Sequence, residues 1–209
     1  MGIVLISYCV DAKPRRWRRE LRLPATTSQT VGPFFDLGCA PLYRTELAGP
    51  GVSGERVSIQ GRLLDGDGQG VPDAILEVWQ ADASGEYAQQ AGLDSTTGEN
   101  AFFGFGRIPT DADGNFRFST IKPGSVSAPD GTRQAPHILV SVFARGLLTR
   151  LVTRIYFPEE PLNESDFVLR MIDAGRRGTL MAKSVSGRKE LREWNVILQG
   201  TNETVFFDL

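Results

Sequence analysis

The sequence of 209 residues predicts an all-β protein, an antiparallel β-sandwich of about 7–8 strands with an extended N-terminal arm. Glycine (23 residues) and proline (12 residues) are more frequent than in an average protein, which favours many turns. Hydrophobic residues make up 41% and charged residues 23%, which is ordinary for a globular domain and excludes wholesale disorder. Short stretches of alternating apolar and polar residues recur between turn signals, as half-buried strands require.

The chain divides into three predicted segments. Residues 1–20 are apolar and then rich in arginine, and we expect a poorly ordered extension. Residues 21–56 contain four separated prolines and few periodic stretches, so they are predicted as an arm that wraps over the domain or over a partner. Residues 57–209 are predicted as the sandwich domain.

Strands and turns alternate along the predicted domain. The predicted strands are 57–64, 74–80, 115–121, 137–143, 151–157, 193–199 and 204–208. The Asp-Gly clusters at 65–70 and 111–115 are predicted turns, because Asp and Gly accept the backbone angles that tight turns need. One helix is predicted near 165–172.

Two features between the first strands need separate interpretation. Trp79 is predicted to be a core residue of the second strand. Gly104, Gly106 and Arg107 resemble part of a nucleotide loop, but no helix follows them. We therefore predict a bend between strands there.

Composition also narrows the function classes. The net charge of −2 argues against a nucleic-acid partner, and no apolar stretch approaches the length of a membrane span. Two cysteines, Cys9 and Cys39, do not make a disulfide framework, so we expect a cytoplasmic protein. The one histidine, His137, leaves too few ligands for a zinc site built from His and Cys.

Several motifs occur in a fixed order from the second predicted strand onward. They span residues 72–87, 103–107, 110–124, 135–138 and 153–157. This series resembles the intradiol ring-cleaving dioxygenases, and the resemblance extends from about residue 27 to the C-terminus. Members of that family are ferric, non-haem enzymes that open catechols between the two hydroxyl groups. The resemblance therefore implies a small aromatic substrate and O₂.

The family holds Fe(III) with two tyrosines and two histidines, which suits a hard metal ion. In this chain Tyr87 stands at the first tyrosine position and Val126 at the second. His137 stands at the first histidine position and Leu139 at the second. Arg154 replaces a glutamine beside the site, and its charge repels a metal cation. The resemblance thus implies four vestigial ligand positions and no metal bound by this chain.

Some members of the family are built from two homologous chains, an iron-bearing β subunit and an α chain without the full ligand set. This chain is similar to the second kind. The similarity implies αβ protomers, Fe(III) bound by the partner β subunit, and an active site at the subunit interface. The residues it assigns to the wall of that pocket are Thr30, Val31, Gly32, Pro33 and Arg145. No residue of this chain alone is expected to be catalytic.

These pocket residues have plausible physical roles. Gly32 and Pro33 offer a rigid backbone that an aromatic ring can approach closely. Arg145 is a permanent cation that can pair with a substrate carboxylate or with an acidic group of the partner. Other interpretations stay open: a dioxygenase that is active by itself, a non-catalytic β-sandwich binding module, or a stand-alone structural protein.

Overall fold

The computed structural model describes residues 27–32, 34–88, 101–128 and 131–208. Eleven strands lie within these ranges: β1 (Arg56–Leu64), β2 (Ile75–Gln80), β3 (Phe105–Pro109), β4 (Asn115–Ile121), β5 (Val126–Ser127), β6 (Arg133–Gln134), β7 (His137–Phe143), β8 (Leu151–Tyr156), β9 (Lys183–Val185), β10 (Arg188–Glu193) and β11 (Val196–Ile197). The helices are α1 (Phe34–Cys39) and α2 (Phe167–Met171), with 3₁₀ turns at Ala40–Leu42, Pro161–Glu164 and Arg177–Leu180. Within the described ranges, neither helix approaches the length needed to cross a membrane.

The strands form two main sheets and one small one. In the first sheet β4 pairs antiparallel with one edge of β1, while β10 and β11 pair parallel with it and β9 continues from β10. The second sheet has the order β3-β2-β7-β8 and is antiparallel throughout. The pair β5–β6 forms the small sheet. The all-β prediction is confirmed, and the parallel pairs of β1 are an addition that the sequence pattern did not indicate.

The two main sheets share one hydrophobic core. Alternate side chains of each strand point inward, as the two-residue period of a strand requires. Core residues that are at most 3% exposed include Val57, Ile59 and Leu63 of the first sheet and Leu76, Val78, Ile138, Val140, Val142 and Ile155 of the second. Burying one such side chain contributes about 1.5–3 kcal/mol, so this contact is the main source of stability for the sandwich.

Most predicted elements match the structure closely. β4 and β7 have the predicted bounds, and β1, β2 and β8 differ from theirs by one residue at one end. α2 lies inside the predicted helix 165–172. The strand predicted over 193–199 is wrong, because β10 ends at Glu193 and only Val196–Ile197 continues as β11. The predicted strand 204–208 is also wrong, since only a single bridge joins Phe207 to the second sheet.

Two further predictions are corrected by the second sheet. Phe105–Pro109 is a strand and not a bend, and it pairs with β2 over its whole length. Glycine at position 106 allows the backbone of Arg44 to pack closely against β3, because a Cβ there would lie 2.5 Å from the carbonyl oxygen of Arg44. Trp79 is 45% exposed, because its neighbours in β2 take the inward positions. A glycine that permits close packing and an outward aromatic were thus mistaken for a bend and a core residue.

The last part of the predicted arm is built into the sandwich. Leu47 is fully buried in the main core, and its N–H donates to the carbonyl oxygen of Ser119 at 2.9 Å. The N–H of Ser119 donates in turn to the carbonyl oxygen of Thr45 at 2.8 Å. The division into three segments stays a prediction. Its first segment, residues 1–20, lies outside the described part of the chain.

A buried carboxylate fixes α2 to the second sheet. Asp166 is fully buried and is the N-cap residue of α2, where its Oδ1 accepts the N–H of Leu169 at 3.0 Å. Its Oδ2 accepts the N–H of Ala135 at 2.8 Å. The hydroxyl of Tyr156 donates to Oδ1 at 3.3 Å. One side chain therefore satisfies donors from three separate segments.

We expect Asp166→Ala to lower the free energy of unfolding by about 3 kcal/mol, because it leaves buried donors without acceptors. Asp173→Ala is the matched control: this exposed aspartate also accepts a backbone N–H, that of Gly175. The control should cost less than about 1 kcal/mol. Urea unfolding measures both values, and equal losses for the two variants would contradict the anchoring role of Asp166.

Candidate functional site

The arm and the turn that carries Arg145 lie together at the end of β7. The N–H of Gly146 donates a hydrogen bond to Thr30 Oγ1 at 2.7 Å. The ring of Phe35, in α1, packs against the ring of Phe143, the last residue of β7, with 5.8 Å between centroids. The structure thus brings Thr30 next to the turn of Arg145, 115 positions away in the sequence.

The other arm residues continue this surface. Val31 is half-buried and Gly32 is exposed, while Pro33 lies outside the described residues. α1 follows directly and exposes Phe34 (79%) and Leu37 (65%) to solvent. Large apolar side chains this exposed mark a surface suited to protein contact.

Arg145 is held by an ion pair on the same side of the molecule. Its Nη2 donates to Oδ2 of Asp73 at 2.9 Å, and both side chains are about half exposed. Asp73 has a φ of 57°, a left-handed conformation that aspartate tolerates better than most residues. An exposed pair of this kind contributes at most about 1 kcal/mol, so it orients the guanidinium without locking it.

The two residues predicted at tyrosine positions of the family, Tyr87 and Val126, lie on neighbouring segments. Tyr87 follows β2, and its ring packs against Trp79 with 4.6 Å between centroids. The turn before it contains Gly85, with a φ of 90°, and a Cβ there would lie 2.1 Å from the carbonyl oxygen of Ser125. The next residue, Val126, opens β5 and is buried. The first position therefore keeps its phenol, whereas the second offers only a hydrocarbon.

The two histidine positions share one face of β7. His137 and Leu139 alternate with core residues, so both point to the face of the second sheet that is turned away from the core, called here the outer face. In the register of the sheet His137 stands opposite Tyr156. Leu139 stands between Trp79 of β2 and Arg154 of β8.

His137 is a buried, neutral side chain. It is 5% exposed, and its Nδ1 donates to the carbonyl oxygen of Ala135 at 2.8 Å. Burial, reinforced by the positive charge of Arg154, lowers the pKa of His137 to about 4. The imidazole is therefore uncharged at neutral pH, with its proton on Nδ1.

Arg154 connects the groups around this histidine. Its Nη1 donates to Oε1 of Gln134 at 2.9 Å and to the hydroxyl oxygen of Tyr156 at 3.2 Å. Tyr156 donates onward to the buried carboxylate of Asp166. Burial raises the pKa of Tyr156 although Arg154 opposes the shift, so this phenol stays protonated.

These residues do not fit Fe(III). Valine and leucine, at two of the four positions predicted for ligands, have no lone pair to donate, and a guanidinium lies beside one of them. Tyr87 and His137 are the two predicted positions that keep a donor atom. Within the described ranges, no group of three or more His, Cys, Asp or Glu side chains is arranged to hold a metal ion.

Two important residues were not predicted from the sequence. Asp166 could have been found, because an aspartate directly before an apolar run is a typical helix N-cap. Asp73, the partner of Arg145, gave no such signal: the two residues are 72 positions apart and meet only through the fold.

Comparison with known proteins identifies the family. A family model described as Dioxygenase matches residues 32–200. A Burkholderia cepacia protein named protocatechuate 3,4-dioxygenase alpha chain is 41% identical over 201 residues, which cover 90% of this chain and 98% of that protein. The protocatechuate 3,4-dioxygenase beta chain of the same species is 35% identical over 159 residues, covering 72% of this chain and 67% of that one.

A solved structure shows the same fold. The dioxygenase domain of a dioxygenase–carbohydrate-binding fusion from Streptomyces sp. SirexAA-E superposes with a TM-score of 0.59 at 26% identity, covering 78% of this chain and 89% of that one. The sandwich, the motif series and the matched family model lead to one conclusion: the chain belongs to the dioxygenase family of intradiol ring-cleavage enzymes.

Proposed function

We propose that this chain is the α chain of a protocatechuate 3,4-dioxygenase and works with a homologous β chain that binds Fe(III). The complex cleaves 3,4-dihydroxybenzoate with O₂ to 3-carboxy-cis,cis-muconate, a step of the β-ketoadipate pathway, in the cytoplasm. The observation that carries the proposal is a family sandwich with valine and leucine at two of the four metal-ligand positions. Similarity along nearly the whole length of a named alpha chain supports it.

The two chains have different proposed roles. The iron held by the partner supplies the redox chemistry on the catechol and O₂. This chain contributes Thr30, Val31, Gly32 and Pro33 to the wall of the pocket and excludes water from it. The apolar surface of α1 provides contact area for the partner.

Arg145 has the most specific proposed role. Asp73 accepts from one terminal nitrogen of its guanidinium, and the group carries five N–H donors, so others remain to bind a carboxylate. Because the pair with Asp73 is half exposed, the guanidinium can turn toward a bound anion at small cost. Arg145 therefore binds the carboxylate of protocatechuate or an acidic group at the subunit interface.

Co-expression with a homologue that carries both tyrosines and both histidines tests the proposal. We expect a stable complex on a sizing column and rapid O₂ uptake with protocatechuate, and no uptake by this chain alone. Protocatechuate-dependent uptake by the isolated chain would instead favour the self-sufficient dioxygenase. Failure to bind the homologue would favour the binding module or the structural protein.

Arg145→Ala in the complex should lower kcat/KM for protocatechuate by about tenfold or more, because a charge-assisted hydrogen bond is lost. Iron content should stay unchanged. Steady-state O₂ uptake and metal analysis of the same samples give both values. Arg150→Ala is the matched control, because Arg150 is an exposed arginine directly before β8. This variant should retain parental kinetics. Parental kinetics for Arg145→Ala would remove Arg145 from the site.

His137 provides a pH-dependent prediction. The pKa of His137 is about 4 in the folded chain and about 6.5 in the unfolded chain, so the unfolded chain binds the proton first as the pH falls. Above about pH 6.5 the titration of this histidine does not lower the free energy of unfolding. As the pH falls from there toward 4, the free energy of unfolding drops by about 3 kcal/mol in total. Urea unfolding between pH 7 and pH 4 measures the loss.

The sole histidine of the chain gives one set of imidazole signals in a ¹⁵N-histidine spectrum of tag-free protein. These signals should report a neutral ring down to about pH 4. His137→Gln is the control and should weaken the pH dependence of stability over this range. Titration of the signals near pH 6.5 would contradict the buried, neutral state of His137.

A further inference from the structure

Arg154 takes part in a hydrogen-bond network that joins β6, β8 and α2 around the predicted ligand positions. It projects from β8 and donates to Gln134 of β6 and to Tyr156 of its own strand. Through Tyr156 it is joined to Asp166, which anchors α2. A single guanidinium therefore organises the outer face on which the family places its metal.

The register of the strands places Arg154 among the ligand positions themselves. Leu139 is its direct cross-strand neighbour, and such neighbours have Cβ atoms about 5 Å apart. His137 is the cross-strand neighbour of Tyr156, which accepts from Arg154. Val126 is paired with Gln134, which also accepts from Arg154. Three of the four positions thus adjoin either the guanidinium or a side chain bonded to it.

Arg154 is the cation among the side chains joined by these hydrogen bonds. Tyr156 and His137 are buried and neutral, and the buried carboxylate of Asp166 lies one hydrogen bond beyond Tyr156. The guanidinium has acceptors on Gln134 and Tyr156, whereas a trivalent cation at the same place would meet its repulsion.

We propose that the guanidinium of Arg154 takes the place of the metal as the positive centre of the outer face, and that it excludes iron independently of the missing ligands. Restoring the ligand residue types then does not suffice to restore metal binding. This inference concerns the chain's own metal position and holds whether or not the proposed α-chain role is correct.

Two sets of variants of the full chain test the exclusion of iron. The first carries Val126→Tyr and Leu139→His, and the second adds Arg154→Gln. After incubation with ferric iron and dialysis, we expect about one iron per chain only in the second set, with the visible absorption band of tyrosinate bound to Fe(III). The first set should bind at least tenfold less.

A matched control adds Arg117→Gln, an exposed arginine of β4 in the other sheet, to the first set. It should bind no more iron than the first set does. Equal iron binding with and without Arg154, or no binding when Arg154 is replaced, would overturn the proposal.

Single variants test the positive centre without relying on new ligands. Arg154→Lys keeps the charge, whereas Arg154→Met keeps only the length of the apolar stem. The proposal expects the methionine variant to melt at least about 5 °C below the lysine variant in a thermal scan. A methionine variant as stable as the lysine variant would show that Arg154 acts only by packing and would overturn the proposal.

Discussion

The alternation of side chains along β7 fixes which of its residues enter the core and which lie on the outer face. β7 lies between β2 and β8, so its register is fixed on both sides. Ile138, Val140 and Val142 occupy the core, which forces His137 and Leu139 onto the outer face. A slip of one residue would turn His137 and Leu139 into the core and expose Ile138, Val140 and Val142. The hydrophobic core thus determines where His137 and Leu139, two of the predicted ligand positions, lie.

The two ends of β7 differ in hydrogen bonding and in exposure to solvent. At its start Asp166, Tyr156 and Arg154 form a closed polar network in which each group has a partner. At its end the turn of Arg145 meets the arm through Thr30 and remains about half exposed. A network in which each group is already paired leaves few free donors for a ligand, whereas an exposed cation beside apolar arm residues suits contact with another molecule.

The sequence was sufficient for the fold class, for family membership, and for β4 and β7. These depend on local alternation and on long motifs, both of which are visible without coordinates. The pattern failed for β3, where Gly106 signals close packing, and for β10, whose exposed charged residues hide a strand paired with β1. It could not give the Arg145–Asp73 pair or the contacts of Arg154, because those partners meet only when distant strands are in register.

We propose that this chain keeps the dioxygenase sandwich while a partner chain holds the iron. Fold and family membership support the retained sandwich, and the predicted ligand positions beside Arg154 support iron on the partner. Iron analysis of the purified two-chain complex, followed by separation of the chains, distinguishes the alternatives. We expect one iron per pair of chains and none on this chain. Two irons per pair, or a stoichiometric ferric tyrosinate centre on this chain alone, would show that this chain binds the metal itself.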